Sequence, residues 1–189
     1  MITLKLDPLL QLHSETFSQI VALNPDTQLE LSPRGDLIIM SPTGGETGDR
    51  NDEISFQLRL WNKQTKLGKT FNAATGFSLP SGGIRSPDAS WLNISAWEAL
   101  TPNQRQSFPP VCPDFVVELR SPSDNLGDLR DKMQEYINNG ARLGWLIDPI
   151  NKIVEIYHPQ RSTVVMVNPE KLSGEDVLPS FVLDLENIL

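Results

Sequence analysis

The chain has 189 residues, of which 39% are hydrophobic and 21% charged, so it is long enough to bury the core of one globular domain. No stretch reaches the roughly 20 apolar residues of a membrane helix, and the first residues lack a basic segment leading into an apolar run. We therefore predict a single cytoplasmic domain over residues 1–189. The net charge of -8 argues against a protein that coats nucleic acid indiscriminately, although an enzyme acting on it is compatible.

Apolar periodicity and turn residues define the predicted elements of the first half of the chain. In chain order these are a helix over 17–23, a hairpin of strands 28–31 and 37–40, a flexible loop over 41–48, a helix from about 50 to 66, one interrupted strand made of 70–73 and 76–79, and a strand over 86–92. The long helix is indicated by Ile54, Leu58 and Trp61, which recur at spacings of four and three. Gly68 is its expected stop.

The second half is richer in strands. Its predicted elements are a short helix around 96–100, a strand over 115–119, a helix capped by Ser123 or Asp124 and ending at Asn139 and Gly140, and strands over 144–147, 152–157 and 163–167. The order of helix, three strands, helix and further strands predicts an α/β or α+β layer. In such a fold the helices pack against a central mixed sheet.

The strand over 115–119 carries the first candidate for chemistry. Alternation along a strand places Glu118 and Arg120 on one face, while Phe115, Val117 and Leu119 face the other way. The dipeptide that contains Asp88 opens another strand. If the two strands are adjacent, the carboxylates of residues 88 and 118 lie close together.

Two close carboxylates repel each other, and a bound Mg²⁺ removes that conflict because hard cations prefer oxygen ligands. Such an ion polarises a phosphoryl oxygen and lowers the pKa of an attacking water. A different interpretation is a structural one, in which Glu118 forms a core ion pair with Arg120.

The helix after this strand supplies a second candidate pair. Lys132 and Tyr136 are four residues apart and share a helical face, beside the apolar seam of Leu129, Met133 and Ile137. Lys132 can reach along the sheet toward the carboxylates. The alternative is a lysine whose aliphatic stem covers the seam while its ammonium group stays in water.

Three other residues are expected to have no role in catalysis. Cys112 precedes a buried strand without a neighbouring histidine, which favours a packed thiol over a nucleophile. His13 and His158 are isolated and lack the spacing of metal ligands, so surface or packing positions are expected.

Taken together, these segments resemble the Uma-type restriction endonuclease family, abundant in cyanobacteria and part of the PD-(D/E)xK superfamily. The resemblance covers roughly residues 17–185, and it depends on the order of several motifs rather than on any one of them. Those motifs are Gly35 to Thr43, Ser86 to Ser90, Pro113 to Ser123, Lys132 to Tyr136, and Gly144 to Pro149.

The resemblance implies a restriction-endonuclease-like core and a site built from Asp88 and Glu118, which look like the two acids of the motif. Glu53 resembles the helical acid that some members add as a metal ligand, although a surface glutamate is the alternative. The motif lysine is replaced by Arg120, which stays protonated but can hold a phosphate. Lys132 resembles a lysine relocated to the following helix, with Tyr136 in support.

The resulting hypothesis is a Mg²⁺- or Mn²⁺-dependent endonuclease that hydrolyses DNA and acts as a homodimer. Its metal ligands are Asp88, Glu118 and Glu53, and either Lys132 or Arg120 positions the water or phosphate. The alternatives are a catalytically inactive binding module that kept the fold and a hydrolase of another phosphodiester.

Overall fold

The computed structural model describes residues 2–7 and 9–189, which form five helices and thirteen strands. The helices are α1 Ser14–Leu23, α2 Gly45–Thr65, α3 Ile94–Ala99, α4 Pro102–Gln106 and α5 Leu126–Asn138. The strands are β1 Ile2–Leu4, β2 Leu29–Leu31, β3 Leu37–Ile39, β4 Gly68–Asn72, β5 Phe77–Ser78, β6 Ile84–Arg85, β7 Ala89–Asn93, β8 Phe115–Leu119, β9 Leu143–Asp148, β10 Ile153–Tyr157, β11 Val164–Val167, β12 Lys171–Ser173 and β13 Val182–Asp184. No helix of these residues has both the length and the apolarity needed to cross a bilayer.

A six-stranded mixed sheet forms the centre of the fold, with the strand order β11-β10-β9-β8-β7-β4. Strands β8 and β9 are parallel, and the other neighbouring pairs are antiparallel. On one face the sheet packs against α2 and the segment from β12 to the C-terminus, and on the other face it packs against α5. This layered mixed sheet confirms the predicted α/β class.

The predicted alternation of β8 is also confirmed. Phe115, Val117 and Leu119 belong to the core on the α2 side, whereas Val116 belongs to the core under α5. Glu118, which lies two residues after Val116, therefore points toward the α5 side of the sheet.

A second sheet has the strand order β1-β3-β2-β6-β5. Leu29 and Leu31 of β2 pack with Phe17 of α1, so the intervening Glu30 points from the opposite face of the strand. Residues 86–88 connect β6 of this sheet to β7 of the six-stranded sheet. The motif that contains Asp88 therefore lies where the two sheets meet.

Two strand predictions are wrong. The interrupted strand of 70–73 and 76–79 is two separate strands in different sheets, β4 and β5. A turn at Thr75, whose N–H donates to the carbonyl of Asn72, separates them. The strand predicted over 86–92 begins only at Ala89, because residues 86–88 are the connection between the sheets.

The helix ends also differ from the prediction. Helix α2 begins at Gly45, inside the segment predicted as a flexible loop, since the first turn of a helix needs few intrahelical bonds and tolerates glycine. It ends at Thr65, and the residue that stops it is Lys66, in the left-handed conformation, rather than the expected Gly68. Helix α5 is capped by Asn125, which accepts hydrogen bonds from the backbone N–H groups of Gly127 and Asp128.

Candidate active site

A cleft of about 1120 Å³ opens at the junction of the two sheets. Its walls come from β2 to β3, the first turns of α2, the connection at residues 86–88, the end of β8 and the exposed side of α5. Asp88, Glu118 and Lys132 all line it. The structure thus brings together three residues that are distributed over 45 positions of the sequence.

Strand pairing places the two carboxylates opposite each other. The last ladder pair of β7 and β8 joins Ala89 to Val117, so one further step in the same register places Asp88 across from Glu118. The N–H of Leu119 donates to Oδ2 of Asp88 at 2.7 Å, which fixes this carboxylate against the end of β8.

Lys132 is the buried cation at the centre of this cluster. Its Nζ lies 2.9 Å from Oε1 of Glu118 and 2.9 Å from Oε1 of Glu30, and it donates to the carbonyl of Ser86 at 3.3 Å. The three N–H bonds of the ammonium group therefore have three partners. With 6% of Lys132 exposed, the alternative of a lysine that keeps its charge in water is wrong.

Sequence reasoning missed Glu30, whose side chain is completely buried. Its Oε2 accepts a hydrogen bond from Arg85 at 3.1 Å, and its Oε1 accepts one from the N–H of Ser86 at 2.9 Å. Arg85 in turn donates to Glu135 of α5 at 2.6 Å. The only sequence feature that pointed to Glu30 was its acidic side chain between two apolar residues, Leu29 and Leu31, in a short predicted strand.

Tyr136 contacts Glu118 rather than Lys132 through its hydroxyl. The hydroxyl group donates to Oε1 of Glu118 at 3.0 Å, whereas Nζ of Lys132 lies 5.9 Å from the centre of the tyrosine ring. Oε1 of Glu118 thus has two fixed donors. Its Oε2 accepts no hydrogen bond from any residue that the structure describes.

The cluster has more carboxylate charge than its cations balance. Burial, together with the neighbouring carboxylates of Asp88 and Glu30, raises the pKa of Glu118 to about 8 against the opposing effect of Lys132. Burial also raises the pKa of Asp88, although its bond from Leu119 opposes this. Burial would raise the pKa of Glu30 as well, but the charges of Lys132 and Arg85 lower it below its ordinary value.

This charge excess suits a hard divalent cation. Mg²⁺ commonly binds one or two carboxylates and keeps several waters, so Asp88 and Glu118 match its usual protein ligands. No arrangement of three or more His, Cys, Asp or Glu side chains suited to a metal occurs within residues 2–7 and 9–189. The cleft therefore presents two carboxylates, and Oε2 of Glu118 accepts no hydrogen bond from the described residues.

The structure does not bring Arg120 or Glu53 to the cleft. Arg120 points toward Asp148 and donates to its Oδ2 at 2.8 Å, so the expected alternative of a pair between Arg120 and Glu118 is wrong. Glu53 accepts a hydrogen bond from Gln57, which also contacts the backbone of Asp184.

The residue that α2 directs toward Asp88 is Asn51. Its Nδ2 lies 3.4 Å from Oδ1 of Asp88, and its own Oδ1 is buried and finds no hydrogen-bond partner among the described residues. Two positions along a helix correspond to a rotation of about 200°, which explains why Asn51 faces the cleft and Glu53 does not.

The remaining candidates have ordinary structural positions. Cys112 is buried, and its Sγ donates to the carbonyl of Tyr136 at 3.4 Å, as expected of a packed thiol. Burial raises the pKa of this thiol to about 12, which disfavours the thiolate. The Nε2 atom of His158 lies 2.8 Å from a carboxylate oxygen of Glu175, away from the cleft.

Comparison with known proteins adds two findings. Residues 14–186 match the model of the Uma2 family, whose description is "Putative restriction endonuclease". The chain is also similar in structure to a protein from Anabaena variabilis ATCC 29413, described as a "putative nuclease belonging to DUF820". The TM-score is 0.74 at 19% sequence identity, over 86% of this chain and 90% of the other. No protein with a curated description matches the sequence.

Both findings agree with the expectations from sequence. The family match confirms the resemblance to the Uma-type family. The structural similarity, at this level of identity, shows the fold, and it confirms the predicted restriction-endonuclease-like core.

Proposed function

We propose that this chain, which belongs to the Uma2 restriction endonuclease family, is a divalent-metal-dependent endonuclease that hydrolyses phosphodiester bonds in DNA. One observation carries the proposal: Asp88 and Glu118 lie opposite each other in an open cleft, with Lys132 bound to Glu118 at 2.9 Å. The excess of buried negative charge at this place supports the binding of a cation.

Asp88 and Glu118 would hold Mg²⁺ or Mn²⁺, and Asn51 takes the position on α2 that was expected for Glu53. When bound, the ion supplies a Lewis acid that polarises a phosphoryl oxygen and lowers the pKa of a coordinated water. Asn51 is suited to orient Oδ1 of Asp88, because its Nδ2 donates to that oxygen at 3.4 Å.

Lys132 would act as a fixed positive charge and not as a base. Burial would lower its pKa, but Glu118 and Glu30 raise it above the ordinary value, so the side chain stays protonated. Because its three protons are engaged, it holds Glu118 in one orientation and offsets negative charge that develops on the phosphate. Tyr136 holds the same oxygen of Glu118 from the other side.

The substrate has to enter a cleft in which acidic lining residues outnumber basic ones. Two exposed cations of the lining, Lys5 and Arg34, are the candidates for contacts with the phosphates of DNA. We expect such binding to weaken steeply with salt. A single domain over residues 1–189, a two-fold dimer and a cytoplasmic location remain predictions of the same hypothesis.

The decisive experiment incubates the purified protein with single-stranded, duplex and branched DNA, in Mg²⁺, in Mn²⁺ and in a chelator. We expect cleavage that needs the metal and falls at least about 10³-fold in Asp88→Asn and Glu118→Gln. Mn²⁺ binding, followed by calorimetry, should disappear in the same variants.

Asp131→Asn is the matched control, because Asp131 lines the cleft, is exposed and precedes Lys132 directly. It should cleave and bind Mn²⁺ like the unmodified chain. Metal binding that survives in both site variants would contradict the assignment of Asp88 and Glu118.

A second candidate function is a nuclease-fold module that binds DNA without cutting it. It is favoured by Arg120, which replaces the motif lysine and is engaged by Asp148. The same experiment separates the two: a module binds DNA and leaves every substrate intact in every metal.

A further inference from the structure

Strand β11 is an unprotected edge of the six-stranded sheet. It pairs with β10 on one side, and it is the terminal strand in the order of that sheet. Its four side chains are all exposed and all apolar, with exposed fractions of 49% for Val164, 55% for Val165, 36% for Met166 and 77% for Val167. An edge of this kind has unpaired backbone N–H and C=O groups beside an apolar surface.

Proteins usually protect such edges with charged residues, proline or a covering element. The other edge of the same sheet shows this protection, since β4 carries the exposed Lys69 and contacts α3. By contrast, residues 162–168 around β11 contain neither a charge nor a proline, and every one of them is exposed. The absence of protection at one edge alone indicates a surface that is covered by a partner.

The charges that flank β11 are self-complementary, which favours a second copy of the chain as the partner. Arg161 precedes the strand by three residues, and Glu170 follows it by three residues; both are exposed. Neither side chain forms an ion pair or hydrogen bond within the described part of the chain. Antiparallel pairing of β11 with itself brings Arg161 of one copy toward Glu170 of the other, twice, whereas parallel pairing brings like charges together.

We propose that β11 pairs antiparallel with β11 of a second copy and joins the two six-stranded sheets across a two-fold axis. In the symmetric register Val164 lies opposite Val167, and Val165 lies opposite Met166, so apolar side chains meet on both faces. Backbone hydrogen bonds set the alignment, as in other cases of strand addition. The inference assigns an interface to the two-fold dimer that the proposed function also predicts, but it needs no nuclease activity, so either can fail without the other.

Sedimentation velocity of the complete chain over about a hundredfold range of concentration tests the proposal. We expect a species of twice the 21.1 kDa mass of the chain at the upper end of the range. Val165→Lys should shift the protein to the mass of one chain. The control Val182→Lys should remain dimeric, because Val182 is 52% exposed in β13 and lies outside this edge.

A charge exchange keeps the test valid if Val165→Lys fails to fold. Arg161→Glu should weaken the dimer at low salt, and Arg161→Glu combined with Glu170→Arg should restore it. Circular dichroism confirms that each variant is folded. A monomer at every concentration, an assembly larger than a dimer, or a folded Val165→Lys that stays dimeric would overturn the proposal.

Discussion

Buried carboxylates occur at two places on the α5 face of the six-stranded sheet, and the two places differ in how charge is balanced. At the β9–β10 end, Asp148 and Glu155 each have one arginine, with Arg120 at 2.8 Å and Arg130 at 2.5 Å from a carboxylate oxygen. Burial would raise the pKa of both carboxyl groups, but hydrogen bonds and these charges lower it.

In the cleft, the four carboxylates of Glu30, Asp88, Glu118 and Glu135 accompany two buried cations, Arg85 and Lys132, and the pKa of Glu118 is raised to about 8. The comparison teaches that burial of an acidic residue does not by itself indicate function. A carboxylate matched by its own guanidinium is a structural pair, whereas a surplus carboxylate facing an open cleft is the feature on which the proposed metal site depends.

The largest effect is expected from Lys132→Met, which removes the cation shared by Glu30 and Glu118. Two buried carboxylates then lose a charge partner, so the free energy of unfolding should fall by about 3–5 kcal/mol. Denaturant unfolding measures this change. Lys63→Met, at an exposed position of α2, is the control, and a loss below about 1 kcal/mol in Lys132→Met would contradict the shared-cation description.

Neutralising one carboxylate at each place should change the free energy of unfolding in opposite directions. At pH 9, Glu118→Gln should raise the free energy of unfolding by on the order of 2 kcal/mol, because it removes a charge that burial disfavours. Glu155→Gln should lower it by about 1 kcal/mol, since it breaks a balanced pair whose arginine is half exposed. Equal signs in the two variants would remove the distinction between the two places.

The pH dependence of stability sharpens the same comparison. The ordinary pKa of a glutamate is 4.5, whereas the pKa of Glu118 in the folded chain is about 8. Between these two pH values Glu118 holds a proton in the native state and has lost it in the unfolded chain. Unfolding therefore releases a proton in this pH range. Stability of the metal-free protein should therefore fall as the pH rises, by at most about 1.4 kcal/mol per pH unit. Chemical denaturation at several pH values should show this slope in the unmodified chain and a smaller one in Glu118→Gln.

The smallest effect on catalysis is expected from Arg120→Met. Because Arg120 is engaged by Asp148 and does not line the cleft, cleavage should change by less than about threefold. Its loss should cost about 1–3 kcal/mol of stability, because it leaves the buried carboxylate of Asp148 without its arginine. If Arg120→Met lost as much cleavage as Asp88→Asn, Arg120 rather than Lys132 would be the leading candidate for the catalytic cation.

Much of the fold could be predicted because it depends on local periodicity. The alternation of β8, the stripe of Ile54, Leu58 and Trp61 on α2, and the hairpin of β2 and β3 are patterns with fixed repeat lengths. The errors occurred where the chain passes between sheets, as at residues 73–76 and 86–88. Composition does not show which sheet a short strand joins.

The candidate site was only partly predictable for the same reason. Asp88 and Glu118 follow from strand alternation together with the motif resemblance, whereas Asn51 and Glu53 differ by a helical rotation that depends on where α2 packs. Glu30 lies 88 positions from Glu118, and nothing local connects them. Its contact with Lys132 exists because two sheets and α5 meet at one point.

Local sequence patterns thus predict the periodic elements, the mixed α/β class and the family, and they select Asp88 and Glu118 as candidate site residues. Those features depend on interactions within a few residues or on ordered residue types. Only the tertiary structure decided which cation each carboxylate receives, with Lys132 at Glu118 and Arg120 at Asp148. Charge pairing depends on distances of about 3 Å between segments far apart in the chain, and such distances arise only when the layers pack.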